Sequence, residues 1–157
     1  SKPITRNELF VTKMATLFTL VGITYIIQLL FALLGVQLFK TSPINWEAFW
    51  IMHVNGLFLI LFFTSIGVLL SMFVQPKKNF MGIVVGITFG SYFIIAIAKS
   101  TPATNWLGYF TPFNYFDFNV HSPELAVNYI AAGAILVLST VLLYIAKRKF
   151  ETKDITC

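Results

Sequence analysis

Asp117 and His121 stand four residues apart in the stretch NWLGYFTPFNYFDFNVHSPEL, a spacing at which a carboxylate and an imidazole suit a shared metal or a proton transfer. Two groups without further ligands make a weak site. His53, the other imidazole, sits near one end of a long apolar run, where an interfacial histidine needs no catalytic explanation and a ligand or proton-relay role is the alternative. The carboxylates Glu8, Glu47, Asp117, Glu124, Glu151 and Asp154 all fall outside the long apolar runs. No buried carboxylate is therefore placed for proton coupling. The chain lacks a Gly-Lys-Ser or Gly-Lys-Thr phosphate loop, so ATP hydrolysis is not expected of it. Cys157 is single, which leaves no internal disulfide and no metal spacing. The residues read as those of a non-enzyme with no catalytic site, no metal and no cofactor of its own.

The elements that hold these residues are unusually apolar. Of 157 residues, 57% are hydrophobic and 11% charged, where a soluble domain carries roughly 25% charged residues. No Lys, Arg, Asp or Glu falls within residues 14–39, 48–76, 79–98 or 125–146. Each run exceeds the roughly 18 uncharged, mainly apolar residues that suggest a bilayer span. One charge at a bilayer centre costs about 2.5 to 3.5 kcal/mol on the insertion scale, so four such runs argue against buried soluble helices. The first run is also too long for a signal-peptide core. An all-α polytopic membrane helix bundle with four transmembrane helices is expected.

Four spans put both termini on one side. That side, with the loop QPKKN, carries Lys2, Arg6, Lys13, Lys77, Lys78, Lys147, Arg148, Lys149 and Lys153, against Lys40 and Lys99 opposite. The positive-inside rule then makes both observed termini cytoplasmic. This asymmetry accounts for the net charge of +5 without nucleic acid, and basic residues beside spans attract anionic lipid. The outer segment before the last span holds Trp106, Tyr109, Phe110, Phe113, Tyr115, Phe116 and Phe118. Seven rings gain nothing from water, so this connection must lie against an apolar surface.

Local signals place the helix ends. Thr5 followed by Glu8 has capping-box spacing, Asn45 and Glu47 suit the start of the second helix near Trp46, and Asn79 suits the third. Ser122, Pro123 and Glu124 suit the start of the fourth. Gly82, Gly86 and Gly90 recur every four residues on the third helix, a pattern that favours close backbone contact. A subunit interface and packing within the chain are both open. On the second helix His53, Gly56, Ile60, Thr64, Gly67 and Ser71 form a small, polar stripe; Thr24 and Gln28 on the first and Asn128, Ala132 and Ser139 on the fourth are shorter versions. Interhelical packing and the lining of a substrate path are the alternatives, with Thr24, Gln28, Thr64, Asn128 and Ser139 as candidate pathway residues.

SKPITRNELFVTKM before a span, the short basic inner loop, YFTPFNYFDF before the last span and the tail KDI together resemble ABC-2 type ATP-binding cassette permeases. The residues that carry the resemblance are Lys2, Pro3 and Arg6, then Pro112 and Phe113, then Lys153, Asp154 and Ile155. The chain is also similar to permeases that export amphipathic peptides of the phenol-soluble modulin kind. The family has six spans, so a chain showing four and beginning at Ser1 without Met is expected to be a single permease domain, 1–157, lacking two N-terminal spans. A self-sufficient four-span protein is the other reading.

The resemblance implies an exporter subunit in a bacterial cytoplasmic membrane, moving amphipathic or hydrophobic cargo. ATP and Mg would sit on partner ABC ATPase subunits. It implies that Arg6, Asn7, Glu8, Leu9 and Phe10 form a coupling segment docked on that ATPase, with Lys77 and Lys78 as a smaller contact. It further implies that Trp106, Tyr109, Phe110, Pro112, Phe113, Tyr115 and Phe116 form an outer re-entrant hairpin or lid. Gly82, Gly86 and Gly90 would face a second permease subunit, in a homo- or heterodimer surrounded by membrane lipid. An accessory anchoring or assembly subunit without a path of its own is the competing function.

Overall fold

A computed structural model of the chain describes residues 5–40, 43–74, 80–119 and 125–152. It is all-helical in its described residues, with α1 (Arg6–Phe39), α2 (Trp46–Phe73), α3 (Phe80–Ala98) and α4 (Tyr129–Thr152). Two 3-10 helices, Pro102–Phe110 and Pro112–Tyr115, lie between α3 and α4. All four α-helices are long and apolar enough to cross a membrane. The 19 residues of α3 extend about 28 Å at 1.5 Å per residue, close to the roughly 30 Å of a hydrocarbon core. The 34 residues of α1 exceed that depth. The surplus includes its polar first turns, which carry Arg6, Glu8 and Lys13.

The chain divides into two compact units, one within Ser1–Trp46 and Lys147–Cys157, the other Glu47–Ala146. In the first unit, Thr5 caps α1 as its spacing predicts. The Glu8 amide donates to Thr5 Oγ1 at 3.2 Å, and the Thr5 amide donates to Glu8 Oε2 at 2.9 Å. Further along, the hydroxyls of Thr12, Thr16, Thr19 and Thr24 each donate to the carbonyl four residues back. These hydroxyls are thereby satisfied within their own helix, which lets them enter an apolar run at low cost.

The second unit is organised by the aromatic segment. The two 3-10 helices pack on α3, and the buried Thr111 hydroxyl donates to the carbonyl of Ser91 at 3.0 Å. Ser91 lies seven residues before the end of α3, about 10 Å along a helix. The chain leaving α3 thus turns back along it. A second tie, from Thr104 Oγ1 to Ile97 O at 2.9 Å, holds the start of the return. Pro102 and Pro112 open the two short helices, and Thr111 between them is extended. At Gly108 an added Cβ would stand 2.8 Å from Asn114 Oδ1, so any larger residue there would require the Asn114 side chain to shift.

The core of this unit consists of Leu59, Phe116, Ala132 and Ile135, with Phe58, Phe62, Phe63, Phe113, Phe118 and Ala131 packed around it. Phe116 is stacked on Phe58 with centroids 6.0 Å apart, and Phe113 meets Phe63 at 5.6 Å and the edge of Tyr92 at 6.0 Å. The deepest residues of α2 are Ala48, Asn55, Leu59, Ser65 and Val68, whereas His53, Gly56, Thr64 and Gly67 are half-buried. The most buried face therefore lies well round the helix from the small, polar stripe, because Phe113 and Phe116 pack beside Leu59 instead. Of the two stripe glycines, Gly67 would place a Cβ 3.9 Å from Val84 Cγ1 of α3, whereas one at Gly56 would meet no atom within 4 Å.

The described part of α4 begins at Tyr129, later than Ser122–Glu124 would set it; those three residues lie outside the described ones. Asn128 is the reason. Its Oδ1 accepts from the Ala131 amide at 3.0 Å, an N-cap placed after the proline.

Thr111→Val keeps the shape but removes the bond to Ser91, and it is expected to cost about 1 kcal/mol in unfolding titrations of the purified membrane protein. Thr111→Ser should retain most of that stability. Equal losses for the two variants would show that the hydroxyl does not hold the hairpin.

Candidate functional site

Two sites carry the sequence-derived candidates, one in each unit. The first site joins the first turns of α1 to the last turns of α4. Arg6 Nη1 donates to the carbonyl of Glu151 at 2.9 Å, and Phe10 packs on Phe150 with centroids 5.5 Å apart. Lys13 Nζ stands 5.8 Å over the Phe150 ring, and Lys147 approaches Glu151 at 4.0 Å. The exposed ion pair contributes little by itself. The buried Phe10 ring and its aromatic contact contribute more. Of the expected coupling residues, Arg6 and Phe10 are therefore engaged within the chain, Glu8 is engaged in the cap, Leu9 is half-buried and Asn7 is exposed. Lys77 and Lys78 lie outside the described residues, as does His121.

Glu8 is held below the usual carboxylate range first by the Thr5 backbone N–H and then by the Thr5 hydroxyl. The bonds favour the charged form. The cap is accordingly fully formed above the ordinary carboxylate pKa and is lost as pH falls through the lowered one.

The second site is the aromatic return segment, and its rings point two ways. Phe116 is buried and Phe113 and Pro112 are half-buried, while Trp106, Tyr109 and Phe110 are 58%, 70% and 74% exposed. Tyr115, at 42% exposed, sends its hydroxyl back to the carbonyl of Tyr109 at 3.2 Å. The expected lid residues thus divide into anchors that seat the hairpin and rings that face outward. Asn55, completely buried on α2, donates from Nδ2 to the carbonyl of Asp117 at 3.1 Å. Its Oδ1 is buried without a partner among the described residues. This carboxamide ties the chain after the second 3-10 helix to α2.

His53 packs on Phe49 with ring centroids 4.2 Å apart, and its Nδ1 lies 2.8 Å from the Phe49 carbonyl. A carbonyl only accepts, so Nδ1 carries the proton there. Among the described residues no group of three or more His, Cys, Asp or Glu is arranged to hold a metal. Of the candidate pathway residues, Thr24 and Gln28 are exposed on α1, Thr64 is half-buried on α2, and Asn128 is the α4 cap. Ser139 is buried, its hydroxyl without a partner among the described residues. Gly82 and Gly86 are exposed and Gly90 half-buried, and a Cβ at Gly86 or Gly90 would meet no atom within 4 Å.

Asn55, Thr111 and Phe150 were not singled out by the sequence patterns. A lone carboxamide in a 28-residue apolar helix was the available signal for Asn55, since it costs free energy unless bonded. An aromatic residue in the basic run KRKFET was the signal for Phe150.

Four membrane-spanning helices and a helical return segment between the last two define a polytopic membrane protein. The chain belongs to the ABC-2 family transporter proteins, whose family model matches residues 1–155. It is a membrane component of a transporter, and the family implies partnership with an ABC ATPase. No curated protein and no solved structure matches the chain.

In amide exchange corrected for intrinsic rates, protection at Glu8 should fall as pH drops below the ordinary carboxylate range. Glu8→Gln should abolish that pH dependence. A wild-type profile flat through the acid range would contradict the cap assignment. Separately, Phe10→Ala and Phe150→Ala should be non-additive in unfolding titrations, with a coupling of about 0.5 to 1.5 kcal/mol; strict additivity would show that the rings do not act together.

Proposed function

We propose that the chain is the permease subunit of an ATP-driven exporter in a bacterial cytoplasmic membrane, with both observed termini cytoplasmic. The observation that carries the reading is the joint between α1 and α4. Arg6 and Phe10 bind the last turns of α4 through Glu151 and Phe150, so a force applied to the first turn of α1 reaches a second spanning helix directly. A partner ATPase, which would hold ATP and Mg, docks on that turn through Asn7 and the half-buried Leu9, which flank on either side the face that Arg6 and Phe10 turn to α4. Lys77 and Lys78 make the smaller contact. The glycine face of α3, through Gly82, Gly86 and Gly90, meets a second permease subunit.

The cargo is amphipathic or hydrophobic, with amphipathic peptides as the leading class. The support is a span composition rich in Phe, Leu and Ile, with no Asp, Glu, Lys or Arg within residues 14–39, 48–76, 79–98 or 125–146. Trp106, Tyr109 and Phe110 expose their rings on the return segment, and Trp and Tyr are side chains that favour the membrane interface. In this reading they close the outer end of the pathway.

The test separates docking from folding. Asn7→Ala with Leu9→Ala should lower cargo-stimulated ATPase activity of the reconstituted complex about tenfold, a loss of about 1.4 kcal/mol of coupling, without lowering the stability of the isolated chain. Arg6→Ala should lower both. Full coupling in the Asn7/Leu9 variant would remove the docking assignment.

A further inference from the structure

A half-open groove of about 480 Å³ lies in the second unit between the return segment and the first turns of α4, with Phe62 of α2 at its wall. We propose that it holds one acyl chain of a phospholipid from the outer leaflet, seated beneath the hairpin as part of the folded structure. The proposal rests on the membrane-spanning helices and, for the choice of leaflet, on the sidedness proposed above; it is independent of coupling and cargo.

Three observations support hydrocarbon as the occupant. The volume falls in the roughly 300 to 1,000 Å³ range of ligand sites, and such a space cannot be left empty without losing dispersion contacts along its whole wall. The wall is chiefly carbon, including Pro112, Ile130, Ala134, Ile135 and Leu138. Three of its four polar residues have internal bonds, Thr111 with Ser91, Tyr115 with the Tyr109 carbonyl, and Asn128 Oδ1 with the Ala131 amide, and the fourth, Tyr109, is largely exposed at the groove's edge. Water would find few partners there.

The third observation is depth. The α4 wall runs from Asn128 to Leu138, ten residues or about 15 Å of helix. That is half of a hydrocarbon core roughly 30 Å thick. The groove therefore has the length of one leaflet, starting at the helix end where Asn128 caps the chain. An acyl chain lying along α4 fills it, with the headgroup at the Asn128 and Tyr109 end. Bound there, the lipid packs against Pro112 and Ile135 together and braces the hairpin against α4.

The test uses the full chain in phosphatidylglycerol and phosphatidylcholine vesicles containing a trace of phospholipid with a diazirine in the middle of one acyl chain. After photolysis, peptides covering residues 112–115 and 130–138 should be labelled several-fold more than those covering Leu30, Phe31 and Leu34, which are exposed on α1. Ala134→Trp, which fills the groove, should reduce that labelling to the α1 level and leave α1 labelling unchanged. Even labelling over all exposed faces of the wild-type chain would overturn the proposal whether or not the variant folds. Displacement of the bound lipid by a soluble amphipathic peptide would assign the groove to cargo instead and also overturn it.

Discussion

In a bilayer core there is no water to satisfy a stray N–H or C=O, and this constraint shapes every described element of the chain. Each unsatisfied group costs several kcal/mol in hydrocarbon, so the backbone is helical wherever it runs through long apolar sequence. The same constraint explains where polar side chains go. Threonines on α1 return their hydroxyls to their own helix, and the return segment after α3 borrows the second lone pair of helical carbonyls at Ser91 and Ile97. A connection of short 3-10 helices is thereby held beside a spanning helix.

From that attachment the outer architecture follows. Once Thr111 fixes the segment to α3, Phe113 and Phe116 fall among Phe58, Leu59 and Phe63. Asn55 then reaches the carbonyl of Asp117. The rings that remain outside are the ones an interface favours. At the other unit the logic is different, because the first turns of α1 and the last turns of α4 are basic and polar and can use water. There the joint includes a guanidinium bond, a ring pair and a lysine over one of those rings, all formed by side chains of polar, basic turns.

The spans were legible in the sequence because a bilayer penalises each charge separately, so absence of charge over some twenty positions is a strong signal. The α1 cap was legible because Thr5 and Glu8 are three apart and their side chains bond each other's amides within one turn. What escaped was set by distant partners. Asn55 meets a carbonyl 62 residues away, and Arg6 one 145 residues away; no local pattern encodes either. The start of α4 was misplaced because Ser122, Pro123 and Glu124 and then Asn128 offer two successive capping signals, and Asn128 is the one whose Oδ1 takes an amide of the described helix. The stripe on α2 identified small residues correctly, but the aromatic hairpin packs on another face of that helix.

The account stands on the claim that the first turn of α1 faces an ATPase on the cytoplasmic side. The most direct measurement replaces Asn7 with a photocrosslinking residue, and separately Lys99, in the complex within native membranes, and identifies what each captures. The account predicts that position 7 captures an ATPase chain containing a phosphate-binding loop and that position 99 does not. Capture of the ATPase from position 99, or from neither position while the complex remains intact, would contradict it.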